Sequence, residues 1–136
     1  MTTARDIMTA TPDVVAGTTT AVEVAKKLAS GNYGALPVCD GDELLGMITD
    51  RDLVVRVLAE DMDPTTTTVR DLIGGAVVTI GADDSVEDAM RTMAEHQVRR
   101  LPVLDGGRMV GIVSQADIAL SGNDKAVGDT VQAISR

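Results

Sequence analysis

The chain has almost no aromatic residues, since Tyr33 is the single aromatic among its 136 residues. Proteins that bind single-stranded nucleic acid usually stack bases on aromatic side chains and attract phosphates with Lys and Arg. This chain has neither property, since it has a single aromatic residue and a formal net charge of −9. The composition therefore argues against nucleic acid as a partner. It does not exclude a small anion, because charges are screened beyond about 8 to 10 Å at physiological salt.

Cysteine and histidine are equally scarce, with Cys39 and His96 as the only examples. One cysteine excludes an internal disulfide, and one His with one Cys cannot form a standard zinc site, so no metal is expected. Cys39 is expected to be a small buried group, with pairing between subunits as the alternative. Residues 1–6 lack the apolar segment of a signal peptide, and no apolar run approaches the ~20 residues of a membrane span. The cytoplasm is the expected location.

What the chain does contain is a duplication with an offset of 65 positions. The matching segments are Arg5-Asp6-Ile7-Met8 with Arg70-Asp71-Leu72-Ile73, Leu36-Pro37-Val38 with Leu101-Pro102-Val103, Asp40-Gly41 with Asp105-Gly106, Gly46 with Gly111, and Asp52 with Asp117. A fixed period indicates one supersecondary unit built twice. A unit of about 50 residues buries too little surface to be stable alone, so the pair is the expected folding unit. A cleft between the two halves is the expected ligand site.

Each repeat is predicted to contain a short opening helix, a strand, a longer helix, a hairpin and a final helix. The predicted ranges are Ala4–Thr9, Asp13–Ala16, Ala21–Ser30, Ala35–Cys39 with Leu44–Thr49, and about Asp50–Glu60 in the first repeat, and Val69–Ile73, Val77–Ile80, Val86–His96, Arg100–Leu104 with Met109–Ser114, and a helix from Gln115 in the second. The first repeat with its linker spans 1–68, the second 69–121, and a tail 122–136. The tail has the spacing of a short helix, with a frayed terminus as the alternative.

The candidate site residues lie where the second hairpin strand meets the final helix. Both repeats have the pattern Gly, two apolar residues, a hydroxyl, two variable residues and Asp, which places Thr49 with Asp52 and Ser114 with Asp117. One interpretation is a capping box that satisfies the first helical amides. The other is a ligand site, in which the helix start and the hydroxyl bind a phosphate and the Asp accepts from ribose hydroxyls. Both interpretations can hold together.

With these motifs the chain resembles a pair of CBS domains over residues 4–120. It is most similar to the small stand-alone CBS-pair proteins of the actinobacterial hypoxic-response type, through segments such as Thr49-Asp50-Arg51-Asp52 and Glu95-His96-Gln97-Val98-Arg99-Arg100. The resemblance implies a mixed α and β fold of two β-α-β-β-α units about a pseudo-twofold axis. It also implies clefts that bind AMP, ADP, ATP or S-adenosylmethionine, no required cofactor, and a homodimer.

Carried onto this sequence, the resemblance implies that Thr49 and Asp52 hold phosphate and ribose in one cleft, and that Ser114 and Asp117 do so in the other. Arg99 and Arg100 precede the second Leu-Pro-Val strand and are candidates for contacting phosphate, with Arg51 as a further candidate. A solvated basic pair beside Glu95 is the alternative. Leu36 and Leu101 are candidates for the aliphatic walls against a base, and Pro37 and Pro102 lie where the backbone could approach it.

Three functions remain in view. The chain has none of the common nucleophile, P-loop or zinc-protease motifs, so it is expected not to be an enzyme. The favoured prediction is a regulatory module that senses an adenosine-containing ligand and relays the signal to an unknown partner chain. The alternative is a dimerising scaffold or stress-response interaction protein whose clefts are vestigial and hold no ligand.

Overall fold

The computed structural model describes residues 1–10, 13–31, 34–74 and 77–121. The predicted tail at 122–136 lies outside the described residues. The α-helices are α1 (Ala4–Ile7), α2 (Ala21–Gly31), α3 (Asp50–Leu53), α4 (Val86–His96) and α5 (Gln115–Leu120), and the strands are β1 (Thr9–Ala10), β2 (Ala35–Asp40), β3 (Glu43–Thr49), β4 (Ile80–Gly81), β5 (Arg100–Asp105) and β6 (Arg108–Ser114). A π-helix at Val54–Leu58 extends α3, and a 3₁₀ turn spans Val69–Asp71.

The two hairpins have the same register, as the duplication predicts. Ala35 pairs with Thr49 in β2 and β3, and Arg100 pairs with Ser114 in β5 and β6. Both registers shift directly after the first conserved valine of the hairpin, opposite a glycine. The turns require positive φ, and Gly41 and Gly106 supply it at 62° and 60°. The Asp-Gly pairs therefore form the two tight turns.

The described residues form two compact units that differ from the two sequence repeats. One, the continuous unit, comprises the described residues between 13 and 77, and the other, the discontinuous unit, comprises residues 1–10 with 78–121. In the discontinuous unit β1 joins the antiparallel β6, and β4 runs parallel to β5, which gives the strand order β1-β6-β5-β4. In the continuous unit β2 and β3 form a two-stranded sheet. The opening segment of each repeat thus packs with the body of the other repeat.

Equivalent contacts hold both opening segments. In the discontinuous unit the backbone N–H of Arg5 donates to the carbonyl of Ala82 at 2.9 Å, and the Arg5 guanidinium lies 2.7 Å from the Asp105 carboxylate. In the continuous unit Arg70 makes the same pair of contacts. Its backbone N–H donates to the carbonyl of Gly17 at 3.0 Å, and its guanidinium lies 3.1 Å from the Asp40 carboxylate. In both units the arginine of one repeat's Arg-Asp motif therefore pairs with the aspartate of the other repeat's Asp-Gly turn.

Each unit has its own apolar core. In the discontinuous unit one face of α4 packs against the hairpin of β5 and β6, and in the continuous unit α2 packs against β2 and β3. The buried residues are Ala4, Ile80, Ala82, Val86, Ala89, Met90, Met93, Leu101, Val103, Val113 and Ile118 in the first of these cores, and Val15, Ala21, Val24, Leu28, Leu36, Val38, Ile48, Val57, Val69 and Leu72 in the second. Branched aliphatic residues and alanine fill both of these cores, and methionine contributes only to the core of the discontinuous unit.

Three predicted elements differ most from the structure. The strand expected at Val77–Ile80 is found at Ile80–Gly81, so only Ile80 is shared. The strand expected at Asp13–Ala16 is reduced to a single parallel bridge between Val15 and Val38. In the other repeat the pairing continues because Ala82 donates to Leu104 at 2.9 Å, whereas the matching position is Gly17, and glycine weakens strands. The helix expected from Asp50 to about Glu60 ends at Leu58 with π geometry, and Leu58 is 67% exposed.

Candidate functional site

Both helix starts form the predicted capping box. The Asp52 N–H donates to Thr49 Oγ1 at 3.1 Å, and the Thr49 N–H donates to Asp52 Oδ2 at 2.9 Å. Ser114 and Asp117 repeat this exchange at 3.2 and 2.8 Å. The geometry arises because Thr49 and Ser114 end their strands in extended conformation before the chain turns into the helix. The capping interpretation is confirmed for both repeats.

The caps leave little of the first helix start free for a phosphate. In the first repeat the amides of Asp50, Arg51 and Asp52 already donate to Gly34 O, Asp50 Oδ1 and Thr49 Oγ1. The helix-start amides of the first repeat therefore do not provide the open anion site that the sequence suggested.

The carboxylates keep binding capacity after capping. Each Asp uses Oδ2 for the cap, and a carboxylate has two oxygens that can each accept more than one hydrogen bond. Asp52 Oδ1 lies 3.9 Å from Arg56 Nε. Among the described residues Asp117 Oδ1 has no such neighbour at ion-pair distance. Of the two half-buried carboxylates, Asp117 is thus the one with an oxygen available for sugar hydroxyls.

A groove of about 340 Å³ lies in the discontinuous unit beside Asp117. Its lining combines two carboxylates, two hydroxyls and two aliphatic side chains: Thr2, Asp6, Ile7, Asp117, Leu120 and Ser121. This volume is within the range of small-molecule sites, which begins at roughly 300 Å³. Hydrogen bonds from the backbone and hydroxyl of Thr3 hold the pKa of Asp6 below its usual range. Both carboxylates can accept hydrogen bonds from a polyhydroxylated ligand.

The basic pair lies alongside the second helix start. Arg100 is the register partner of Ser114, and the Arg99 carbonyl accepts from the Gln115 N–H at 3.1 Å. Both arginines are exposed, and so is Arg51 on α3. Within the described ranges none of these three side chains forms an ion pair. Gly34 and Ala35 hold the matching positions in the first repeat, where the cations near the helix start are Arg51 and Arg56 on the helix itself.

Two of the four apolar candidates, Leu36 and Leu101, belong to the two cores and are 2% and 0% exposed. Pro37 and Pro102 are also buried, outside those two clusters. Because the leucine side chains fill the cores, a contact of these two residues with a base would have to come from their backbone.

The residues outside the predicted set are also informative. The groove is lined by five residues besides Asp117, and the sequence motifs point to Asp117 alone: the other five are Thr2, Asp6, Ile7, Leu120 and Ser121. The exchange of opening segments brings Thr2 and Asp6 there, and no periodicity in one repeat reveals that exchange.

Cys39 is a free and buried thiol, and burial raises its pKa. The described residues contain no group of three or more His, Cys, Asp or Glu side chains suited to a metal. They also contain no helix long and apolar enough to cross a membrane.

Comparison with known proteins places this arrangement in a family. The CBS domain model matches residues 4–59 and 69–121. Hypoxic response protein 1 of Mycobacterium tuberculosis is 43% identical over 135 residues, which cover 98% of this chain and 94% of the relative. The CBS domain-containing protein YhcV of Bacillus subtilis is 37% identical over 121 residues, covering 89% and 86% of the two chains.

Two solved structures show what relatives of this fold have been seen to hold. The crystal structure of hypoxic response protein I with two coordinated zinc ions has 45% identity and a TM-score of 0.82, covering 88% of this chain and 98% of that one. The crystal structure of CBSX2 in complex with AMP has 27% identity and a TM-score of 0.79, covering 92% and 98%. Both the sequence duplication and the two matched segments lead to one conclusion: this chain belongs to the CBS domain family and contains a pair of CBS domains.

Proposed function

We propose that this chain is a non-catalytic regulatory module that binds an adenosine-containing ligand, from among AMP, ADP, ATP and S-adenosylmethionine. The observation that carries the proposal is the groove that contains Asp117. Asp117 Oδ1 would accept from the ribose hydroxyls while Oδ2 keeps the helix cap. The aliphatic side chains of Ile7 and Leu120 would contact the base, in a chain that has no aromatic ring there to stack on it. The AMP complex of CBSX2, a relative of the same fold, supports this ligand class.

Charge supports a phosphorylated ligand at the second repeat. Arg99 and Arg100 lie next to Ser114 in the hairpin and have no acidic partner at ion-pair distance within the described residues. An exposed arginine without a partner keeps its donors for a phosphate, which it can bind through two parallel hydrogen bonds. Gly34 and Ala35 give the first repeat no such cations. We therefore assign the phosphate-binding role to Arg99 and Arg100 and a minor role to Arg51.

The groove suggests how binding would become a signal. Thr2, Asp6 and Ile7 belong to the N-terminal segment, whereas Asp117, Leu120 and Ser121 belong to α5 and its end. A ligand that contacts both walls favours the conformations in which both segments are docked. It can shift that equilibrium only by its difference in affinity between the docked and undocked states. A partner chain in the cytoplasm that recognises one state would receive the signal.

A dimerising scaffold is the second candidate, and one surface favours it. Val54, Val55, Leu58 and Met62 are 55%, 44%, 67% and 45% exposed along the π-helix and the turn after it. Exposed aliphatics in consecutive turns are typical of a contact surface. A homodimer through this surface is compatible with ligand binding. It becomes the whole function only if no ligand binds.

Thermal denaturation with a panel of adenosine compounds tests the proposal. We expect AMP or ATP in excess to raise the melting temperature of the wild type, and Asp117→Ala to remove most of this gain. Because Asp117→Ala also removes a helix cap, the quantity compared is the ligand-induced shift of each variant and not its absolute melting temperature. Glu60→Ala, which removes an exposed carboxylate in the continuous unit, is the control and should keep the full shift. No shift with any compound in the panel would leave the scaffold as the function.

A further inference from the structure

The duplication gives every groove residue a counterpart in the continuous unit. With the offset of 65 positions, the groove residues Thr2, Asp6, Ile7, Asp117, Leu120 and Ser121 correspond to Thr67, Asp71, Leu72, Asp52, Val55 and Arg56. Five of the six pairs conserve the chemistry of the side chain. The exception is the last pair, in which a small hydroxyl in the second repeat is an arginine in the first.

The Arg56 side chain reaches both counterpart walls. Its Nη1 donates to the carbonyl of Leu72 at 2.8 Å, and its Nε lies 3.9 Å from Asp52 Oδ1. Leu72 is the counterpart of Ile7 and Asp52 the counterpart of Asp117, and both of those residues line the groove. The Arg56 guanidinium therefore lies where the groove of the other unit is open.

We propose that Arg56 occupies the first-repeat counterpart of the groove, so that the chain binds one adenosine-type ligand, at the second repeat. This inference rests on the proposed function and names the residue that sets its stoichiometry. The ion pair with Asp52 is half-exposed and hence weak, so closure depends on the volume that the side chain fills and on the donor it places on the Leu72 carbonyl. A ligand at this position would have to displace both contacts before Asp52 could accept from a sugar.

Calorimetric titration with AMP tests the stoichiometry. We expect the wild type to bind one AMP per chain and Arg56→Ser, which installs the residue of the second repeat, to bind two. Loss of an arginine weakens attraction to phosphate, so a gained site cannot be an effect of charge. Arg91→Ser removes an arginine that pairs with Asp88 on α4 and should leave the stoichiometry at one. A wild type that already binds two, or an Arg56→Ser variant that stays at one, would overturn the inference.

The reciprocal exchange tests closure in the other direction. Ser121→Arg should fill the groove and lower the affinity for adenosine, which lacks a phosphate that the new arginine could attract, by at least tenfold. Unchanged adenosine binding in Ser121→Arg would contradict the proposal that an arginine at this position closes the site.

Crystal structures without ligand separate this inference from the proposed function. They should show the Arg56 guanidinium between Asp52 and Leu72 in the wild type, and an open groove at that place in Arg56→Ser. If no adenosine compound binds the wild type, the proposed function fails, while these structures still decide whether Arg56 fills the counterpart groove. An Arg56 side chain directed away from Leu72 would overturn the inference whatever the titrations show.

Discussion

Gly111 shows why a glycine occupies the middle of a strand in both repeats. A Cβ at Gly111 would lie 2.8 Å from the backbone carbonyl oxygen of Thr9 in β1, the strand that pairs with β6 at this position. At Gly46 the three nearest atoms to a Cβ would all belong to the Ile73 side chain, the first of them at 3.3 Å. Glycine is thus strictly required at Gly111, where β1 pairs directly with β6, and less strictly required at Gly46.

This difference predicts unequal costs for two identical substitutions. Gly111→Ala should lower the free energy of unfolding by about 1 to 3 kcal/mol, since backbone atoms must move to admit the methyl group. Gly46→Ala should cost less than about 1 kcal/mol, since a flexible side chain can move instead. Urea denaturation of both variants measures the two values. Equal losses, or a larger loss at Gly46, would show that the close approach of Thr9 does not determine the glycine.

For the repeated residues, the duplication could be predicted from the sequence, but the contacts of the individual side chains could not. The identity of Arg5 with Arg70 and of Asp40 with Asp105 indicates a duplication, but their pairing becomes visible only once the opening segments are placed. The sequence makes Leu36 and Leu101 candidates for the walls of a ligand site, yet their side chains fill the cores. Hydrophobic pattern alone cannot separate a core residue from an apolar site residue, because both are shielded from water.

At the scale of elements, the exchange of opening segments is the main organising feature. Helix α1 and strand β1 begin the first repeat in sequence but complete the sheet of the second repeat. The 3₁₀ turn at Val69–Asp71 makes the reciprocal contact with the first repeat, where Val69 donates to the Thr19 carbonyl at 2.8 Å. Each repeat therefore depends on a segment of the other for its stability.

Deletion of residues 1–10 tests this dependence. The deletion removes β1 and the contact of Arg5 with Asp105, so amides of β5 and β6 should exchange with deuterium faster. Amides of β2 and β3 in the continuous unit should be affected much less. Arg5→Ala, which keeps the strand, is the control and should give a small effect because its ion pair is exposed. Faster exchange confined to β2 and β3 would contradict the exchanged arrangement.

Much of the element order could be predicted from the sequence, and the failures have local causes. Helix α4 has the predicted bounds, since Ser85 caps its start and Gln97 in left-handed conformation ends it. The hairpins agree to within one or two residues because the Asp-Gly turns determine their register. The strand expected at Asp13–Ala16 is a single bridge, and the helix after Asp50 changes to π geometry. Neither the weakening by Gly17 nor the π turn has a periodic signal in the sequence.

The candidate site was predictable only in part. The pattern of a hydroxyl followed three residues later by Asp led to both capping boxes, and Asp117 is the one predicted residue that lines the groove. Asp6 and Thr2 reach it through the exchange of segments, which depends on tertiary packing. Arg56 could have been noticed as the charged counterpart of Ser121, because the offset of 65 positions aligns them directly.

At the scale of the whole molecule, the chain combines a strongly acidic surface with two small aliphatic cores. A net charge of −9 favours solubility and disfavours polyanionic partners, while local cations beside Ser114 can still attract one small phosphate. A ligand that binds only the folded chain stabilises it by about 2.7 kcal/mol at a concentration of 100 times its dissociation constant. Ligand binding would therefore change the stability of the docked N-terminal segment, which a partner chain can recognise.

Titration of the wild-type chain with AMP, followed by isothermal calorimetry, tests the central claim most directly. The account predicts a saturable heat of binding that Asp117→Ala abolishes or greatly weakens. The absence of any heat with AMP, ADP, ATP and S-adenosylmethionine, in a chain shown to be folded, would contradict it.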